Sequence, residues 1–319
     1  MRVMFAVATA ALIGMGGAQA QGLACPNVRL VVPYSAGGAT DVAARLVAEG
    51  LNRGLKATVV IENRPGATGN IGTAYVAKAD PDGCTLLVNA AVIATFTASF
   101  SKLTYDPIDD LVPVGGIGIT PTLLVTATKN KADDLKGLLA WARDSQDGLS
   151  YATAGYGLLQ HLAIEEIARR TKERFVLVPY KGGAQAVTDL VTGRVDLGSF
   201  AAGSVLKQVQ EGKLKALAVV AEKRSGLVPD VPATAEQGLE GLDAGVHFMI
   251  YAPAKTPKAT VDMLSDRLRK VVGDPALKDR FAAIGFDPTP ISSEEAAEVM
   301  RRTAKDWIPL IKRLNIRLD

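Results

Sequence analysis

From Val28 onward, short runs of β-branched and aliphatic residues alternate with stretches whose apolar positions recur at helical spacing. Val28–Val32, Thr58–Glu62 and Thr85–Val88 read as strands, separated by helices from about Gly38 to Arg53 and from Asn70 to Lys78. The rhythm resumes with strands at Ser150–Thr153, Phe175–Val178, Val195–Ser199 and Leu214–Val220, between helices at 157–171, 183–193 and 203–212. Beyond Thr256-Pro257 the pattern turns mostly helical, with amphipathic stretches at 258–272 and 294–308. Such alternation predicts an α/β fold of doubly wound parallel sheets covered by helices on both faces.

Two strand ends look alike. Leu30-Val31-Val32-Pro33-Tyr34 runs into Gly37-Gly38-Ala39, and Val176-Leu177-Val178-Pro179-Tyr180 runs into Gly182-Gly183-Ala184. The repetition predicts two lobes that present the same turn toward a shared cleft. A length of 319 residues agrees, since that is more than one core usually organises. The net charge of +3 is spread along the chain without a basic stripe, which argues against a nucleic-acid partner. Two His and two Cys exclude a metal centre built from those side chains alone.

Residues 1–20 read as a leader rather than as part of the fold. Arg2 precedes an apolar run from Val3 to Met15, and Ala18-Gln19-Ala20 has the small-x-small form of a cleavage site. The alternative is a membrane anchor, but the run is shorter than the roughly 20 residues needed to cross a bilayer. Lipidation of Cys25 is disfavoured because Gly22-Leu23-Ala24 lacks a large aliphatic residue at the usual place. The mature chain is therefore expected in a bacterial periplasm, where thiols oxidise. Cys25 lies just before the first strand and Cys84 opens the third. In a sheet of order 2-1-3 those strands are neighbours starting at one edge, so a Cys25–Cys84 disulfide is expected.

Ligands of open α/β sheets bind beyond the carboxyl ends of the strands. Four glycine-rich turns fall there: Ser35–Gly38, Gly66–Asn70, Thr153–Gly157 and Lys181–Gly183. Each precedes a helix, so unpaired N–H groups and the positive helix end favour a carboxylate or phosphate. Enzyme motifs are missing. Pro33 replaces the first glycine of a nucleophile elbow at Ser35, and no P-loop occurs. Gly155-Tyr156-Gly157 begins like a dinucleotide fingerprint, but Gln160 stands where its last small residue belongs. His161 reads as a satisfied helix histidine; His247 is either a cleft-lining group or a packed core residue. Asp41 reads as a helix-start carboxylate.

These segments resemble Bug-type solute receptors across nearly the whole mature chain. Pro33-Tyr34-Ser35-Ala36-Gly37-Gly38 with Asp41 and Ala44-Arg45 is similar to the first signature of that family. The specific Glu62-Asn63-Arg64-Pro65-Gly66-Ala67-Thr68-Gly69-Asn70-Ile71-Gly72 segment follows, then Ala79-Asp80-Pro81-Asp82-Gly83 and Val178-Pro179-Tyr180-Lys181-Gly182. Val195-Asp196, Gly212–Val219 and Pro229-Asp230-Val231-Pro232 match in order and spacing.

The resemblance implies a type II-like periplasmic binding protein, a Venus flytrap of two doubly wound lobes joined by two strand crossings. Residues 25–122 and 248–319 would form the first lobe and 123–247 the second, closing about crossings near 121–127 and 245–251. It implies a non-enzymatic receptor, without cofactor and monomeric, that hands a small carboxylate to the membrane permease of a tripartite tricarboxylate transporter. Carried over residue by residue, Ala36, Gly37, Gly38, Thr68, Gly69, Asn70, Thr153, Gly157 and Gly182 would hold the carboxylate. Tyr34, Tyr156, Tyr180, Ala201 and His247 complete the candidate set.

The chain departs from the family pattern at Leu158-Leu159-Gln160, at His247-Phe248-Met249 and at Ser199–Gly203, which carries no acid. An ammonium group would lack a counter-ion there, with Asp41 left as one alternative. The expected ligand is a carboxylate without an amino group, its body resting on Leu158 and Phe248. The competing readings are a sensor input that docks on a kinase ectodomain and an exported enzyme using His161 or His247.

Overall fold

The computed structural model describes residues 23, 25–55, 57–180 and 182–318. The leader assigned to residues 1–20, and Lys181, lie outside the described residues. The first part of the chain runs β1 (Asn27–Val32), α1 (Ala39–Asn52), β2 (Thr58–Asn63), α2 (Asn70–Ala77), β3 (Thr85–Ala90), α3 (Phe96–Ser99) and β4 (Leu111–Thr120). It continues as β5 (Thr122–Ala127), α4 (Leu135–Asp144), β6 (Leu149–Thr153), α5 (Leu159–Thr171), β7 (Phe175–Leu177), α6 (Gly183–Thr192), β8 (Leu197–Ala201), α7 (Ala202–Gln210) and β9 (Leu214–Val219). The return comprises β10 (Val246–Pro253), α8 (Lys258–Val272), α9 (Pro275–Ala282), β11 (Asp287–Pro288) and α10 (Ser293–Arg313).

Two sheets result, in the orders β11-β4-β10-β3-β1-β2 and β7-β6-β8-β5-β9. The β2-β1-β3 segment is parallel, as the alternation requires, because each strand must return over a helix. Both faces of each sheet are covered. Apolar positions of α1, α8 and α9 pack on one face of the first sheet, and those of α2 and α10 on the other. In the second sheet α4 and α5 cover one face, and α6 and α7 the other. The expected Cys25–Cys84 disulfide is present, its Cα atoms 6.1 Å apart. It ties the entry of β1 to that of β3 beside the Arg29 N–H bond to the Cys84 carbonyl.

The sheets are joined at Thr120–Thr122 and again at Ala244–Val246. These two crossings are fastened to one another by a 2.6 Å bond from Thr122 Oγ1 to the Ala244 carbonyl and by the pairing of Val246 with Thr120. A third connection comes from α10. Its Ala296 and Met300 pack with the first sheet, but Trp307, Leu310 and Ile311 are buried in the core of the second. Helix α10 therefore contributes to the cores of both sheets. The tail after α10 continues the bridge: Leu318 N–H donates to the Ser99 carbonyl and Arg317 to that of Ala98, while Ile316 is buried against the second sheet.

Strand β4 is absent from the hydrophobic pattern because its glycines are packing requirements. A Cβ on Gly116 would lie 2.6 Å from the Thr289 carbonyl, and one on Gly115 would lie 2.8 Å from that of Ile291. The chain before α10 lies against this strand and leaves no room for side chains.

Candidate ligand-binding site

The carboxyl ends of β1, β2 and β3 are knitted together by a buried polar chain. Tyr34 Oη donates to Asn89 Oδ1 at 3.0 Å, Asn89 Nδ2 donates to Thr73 Oγ1 at 2.9 Å, and Thr73 Oγ1 donates to the Gly69 carbonyl at 2.8 Å. Burial pushes the Tyr34 phenol up to about 12, so it stays a neutral donor. The chain fixes the turn at 66–70 against the end of β1. Gly69 has φ +88°, and a Cβ there would lie 3.2 Å from Tyr34 Oη, so glycine is needed on two counts.

Asp41 anchors the other first-lobe turn. Only 2% exposed, it accepts from Gly37 N–H at 3.0 Å, from Asn63 Nδ2 at 2.9 Å and from Arg45 Nε and Nη2 at 2.9 and 3.1 Å. Burial works against its charge, but the bonds from Arg45, Gly37 and Asn63 outweigh it and hold the carboxyl below its usual range. Asn63 also donates to the Tyr34 carbonyl, so the group braces the turn from within. Two consequences follow. The Gly37 N–H is already taken by the protein's own carboxylate, and Asp41 has no spare acceptor with which to meet an ammonium group.

What stays open lies around Ala36 and Gly38, both exposed, and around Thr68 and Asn70. A Cβ on Gly37 would meet nothing within 4 Å, and the same holds for Gly182 across in the second sheet. Asn70 Oδ1 is buried without a protein partner. At the second sheet, Thr153 Oγ1 closes a tight turn with Gly155, accepting from its N–H and donating to its carbonyl. Gly183 touches Ala154, so the turns after β6 and β7 are neighbours. Tyr180 Oη donates to Asp189 at 2.9 Å. Ala201 precedes α7, whose first N–H, that of Ala202, is bonded to the Pro121 carbonyl at the crossing.

The helix starts divide along functional lines. Helices α4, α9 and α10 carry side-chain caps from Asp134, Asp274 and Ser292. Helices α1, α2, α5, α6 and α7 follow strand carboxyl ends and have no side-chain cap on the N-cap residue. Those of their first-turn N–H groups not already bonded to a carbonyl, as Ala202 is to Pro121 and His161 to Leu158, are the natural partners of an anion. Helices α3 and α8 are uncapped too, so an uncapped start does not by itself mark a site.

Three sequence-predicted residues have other partners. Gly157 N–H donates to His161 Nδ1 at 3.1 Å, and the residue is packed beneath Ile316 and Leu318. His247 is not among the glycine turns. It pairs with Ile119 of β4 and places Nε2 3.6 Å from Asp243 Oδ2, in a cavity at the crossings lined by Leu159, Arg302 and Trp307. Phe248, half-buried, packs on Phe286 with ring centroids 4.9 Å apart. Leu158 is half-buried at the start of α5. Asn89, Thr73 and Asn63 escaped the sequence reading as binding-turn supports. A polar residue at the end of the wholly buried strand β3 was the available signal for Asn89.

Among the described residues no group of three or more His, Cys, Asp or Glu could hold a metal ion. No helix among them is long and apolar enough to cross a membrane.

Comparison with known proteins agrees with this geometry. The sequence matches the family described as tripartite tricarboxylate transporter family receptor over residues 43–316. It is 32% identical to BugT of Bordetella pertussis over 293 residues, 91% of this chain and 90% of that protein. A Rhodopseudomonas palustris protein solved with adipate superposes with a TM-score of 0.74 at 30% identity, covering 91% of this chain and 97% of its own. MatC of the same organism, with bound malate, gives 0.70 at 29% identity, covering 89% and 98%. The α/β fold of two sheets is that of these periplasmic binding proteins, and the chain belongs to the tripartite tricarboxylate transporter receptor family, whose members are solute-binding proteins of the Bug type.

Proposed function

We propose that this chain is an exported periplasmic receptor that captures a small carboxylate without an amino group between its lobes and delivers it to a membrane permease. The observation that carries the reading is that helix starts without side-chain caps follow the carboxyl ends of strands in both sheets, beside open glycine turns. A site of backbone dipoles can hold an anion and still release it, which a carrier requires. The absence of an amino group follows from charge. Asp41 is saturated within the first lobe, Asp189 is bonded by Tyr180 and Arg194, and residues 199–203 carry no acid. Adipate and malate, held by two relatives, likewise carry carboxylates and no amino group.

Residues 25–122 with most of 248–319 act as one lobe and 123–247 as the other, hinged at 120–122 and 244–246. The ligand makes its full contacts only when the lobes close, so binding shifts the population toward closure. The closed surface is what the permease reads. The test uses Gly38→Val combined with Gly182→Val. Both glycines have φ values open to any residue, and a Cβ meets Ser35 O at 3.7 Å or nothing at all. Gly37 and Gly69, by contrast, have positive φ and would be strained by valine. The double variant should keep its unliganded melting temperature and lose carboxylate affinity at least tenfold by calorimetric titration. Unchanged affinity in the folded variant removes the backbone-dipole site.

A further inference from the structure

Tyr156 is an anomaly among the site residues: a large aromatic side chain, 54% exposed, on the turn Thr153-Ala154-Gly155-Tyr156-Gly157, whose other residues are small. Its ring is not loose. It rests on the His161 imidazole with centroids 4.7 Å apart and planes inclined by 34°. His161 is itself fixed, being 3% exposed. Its Nδ1 accepts the Gly157 N–H, and its Nε2 lies 3.8 Å from Glu165 Oε1, which accepts the Tyr151 hydroxyl at 2.7 Å. Tyr151 lies nearly parallel to the imidazole, 6.4 Å away. Below the turn, a Cβ on Gly157 would lie 2.9 Å from Ile316, so the tail of the chain closes the mount.

A fixed aromatic ring with solvent on its free side leaves apolar area in water and makes no compensating contact of its own. A planar partner laid on that ring recovers the area and adds the offset-stacking preference of aromatic pairs. The turn holds no cationic side chain, so this element reads the body of a ligand and leaves its charge to the helix starts.

We infer that Tyr156 is the specificity-determining platform of the site, held by His161 as a positioning residue, and that it selects aryl carboxylates over aliphatic ones of the same size. This rests on the receptor reading and names its substrate class.

The test is calorimetric titration of the mature chain with matched probes: benzoate against cyclohexanecarboxylate, and benzene-1,4-dicarboxylate against cyclohexane-1,4-dicarboxylate, with adipate as a common control. The aryl member of at least one pair should bind about fivefold tighter, the size expected of one aromatic pair. Tyr156→Phe should keep that ratio and Tyr156→Ala should erase it, both folding normally because the residue is exposed. His161→Asn, which retains an acceptor beside the Gly157 N–H, should preserve more of the ratio than His161→Leu. Equal affinities within both pairs, or a ratio that survives Tyr156→Ala, overturn the inference. Binding of adipate with no aryl binding overturns it while leaving the receptor reading standing. No binding by any of the five probes overturns both.

Discussion

Replacing Asp41 by alanine tests how the first-lobe turn is held. The carboxylate receives bonds from Gly37 N–H, Asn63 Nδ2 and Arg45 at a position only 2% exposed. The variant takes a charged acceptor from the solvent-exposed Gly37 N–H and from the Asn63 amide, which keeps its bond to the Tyr34 carbonyl. Bonds of that kind are worth about 1.5–3 kcal/mol each, so the two together cost about 4 kcal/mol. Arg45 adds little, because its side chain is 53% exposed and water replaces the carboxylate. With an unfolding entropy of about 2.1 cal/mol/K per residue, the loss lowers the melting temperature by about 6 °C. Urea unfolding of the two proteins gives the difference directly. Its pH dependence has a definite sign. The native carboxyl is held below its unfolded value of 3.8, so the stabilisation is present above that pH and disappears as pH falls through the lowered native value. A difference below about 1 kcal/mol at neutral pH, against the cost expected for two lost bonds to a charged acceptor, would refute the claim that Asp41 anchors the turn.

Other consequences can be checked by similar means. Cys25→Ser with Cys84→Ser opens a loop of 59-residue separation, which loop-closure entropy values at about 4 kcal/mol; chemical denaturation should show a loss of that order, and a loss under about 1 kcal/mol contradicts it. Burial lowers the pKa of His161 from 6.5, with Glu165 opposing, so the unfolded chain binds more protons there. The stability of the wild type relative to His161→Asn should therefore be constant above about pH 6.5 and decline as pH falls through the lowered native value; a decline on raising the pH would reverse the assigned role.

The parts of the fold that were legible in the sequence are those where side-chain pattern and packing coincide. The order β2-β1-β3 and the amphipathic stretches at 258–272 and 294–308, found as Lys258–Val272 and Ser293–Arg313, follow from periodicity, which burial enforces residue by residue, and the pairing of Cys25 with Cys84 follows from the strand order. Strand β4 was hidden because Gly115, Gly116 and Gly118 exist to admit the backbone of residues 287–291, and a glycine carries no periodic signal. The division of α10 between two cores was hidden too, since one amphipathic stripe looks the same whichever sheet it faces. At the site, the glycine turns could be read from their position after strands. The use of the Gly37 N–H by Asp41, the placement of His247 at the crossings and the pairing of Phe248 with Phe286 depend on long-range contacts that local spacing does not encode.

The central claim is that the cleft takes a carboxylate and rejects the matching amino acid. Calorimetric titration of residues 21–319 with pairs that differ by that group alone, succinate against aspartate and adipate against 2-aminoadipate, tests it most directly. The account predicts that the member without the amino group binds more than tenfold tighter wherever a pair is bound, because an ammonium group would enter the cleft without a counter-ion. Amino members binding as tightly as their partners would contradict it.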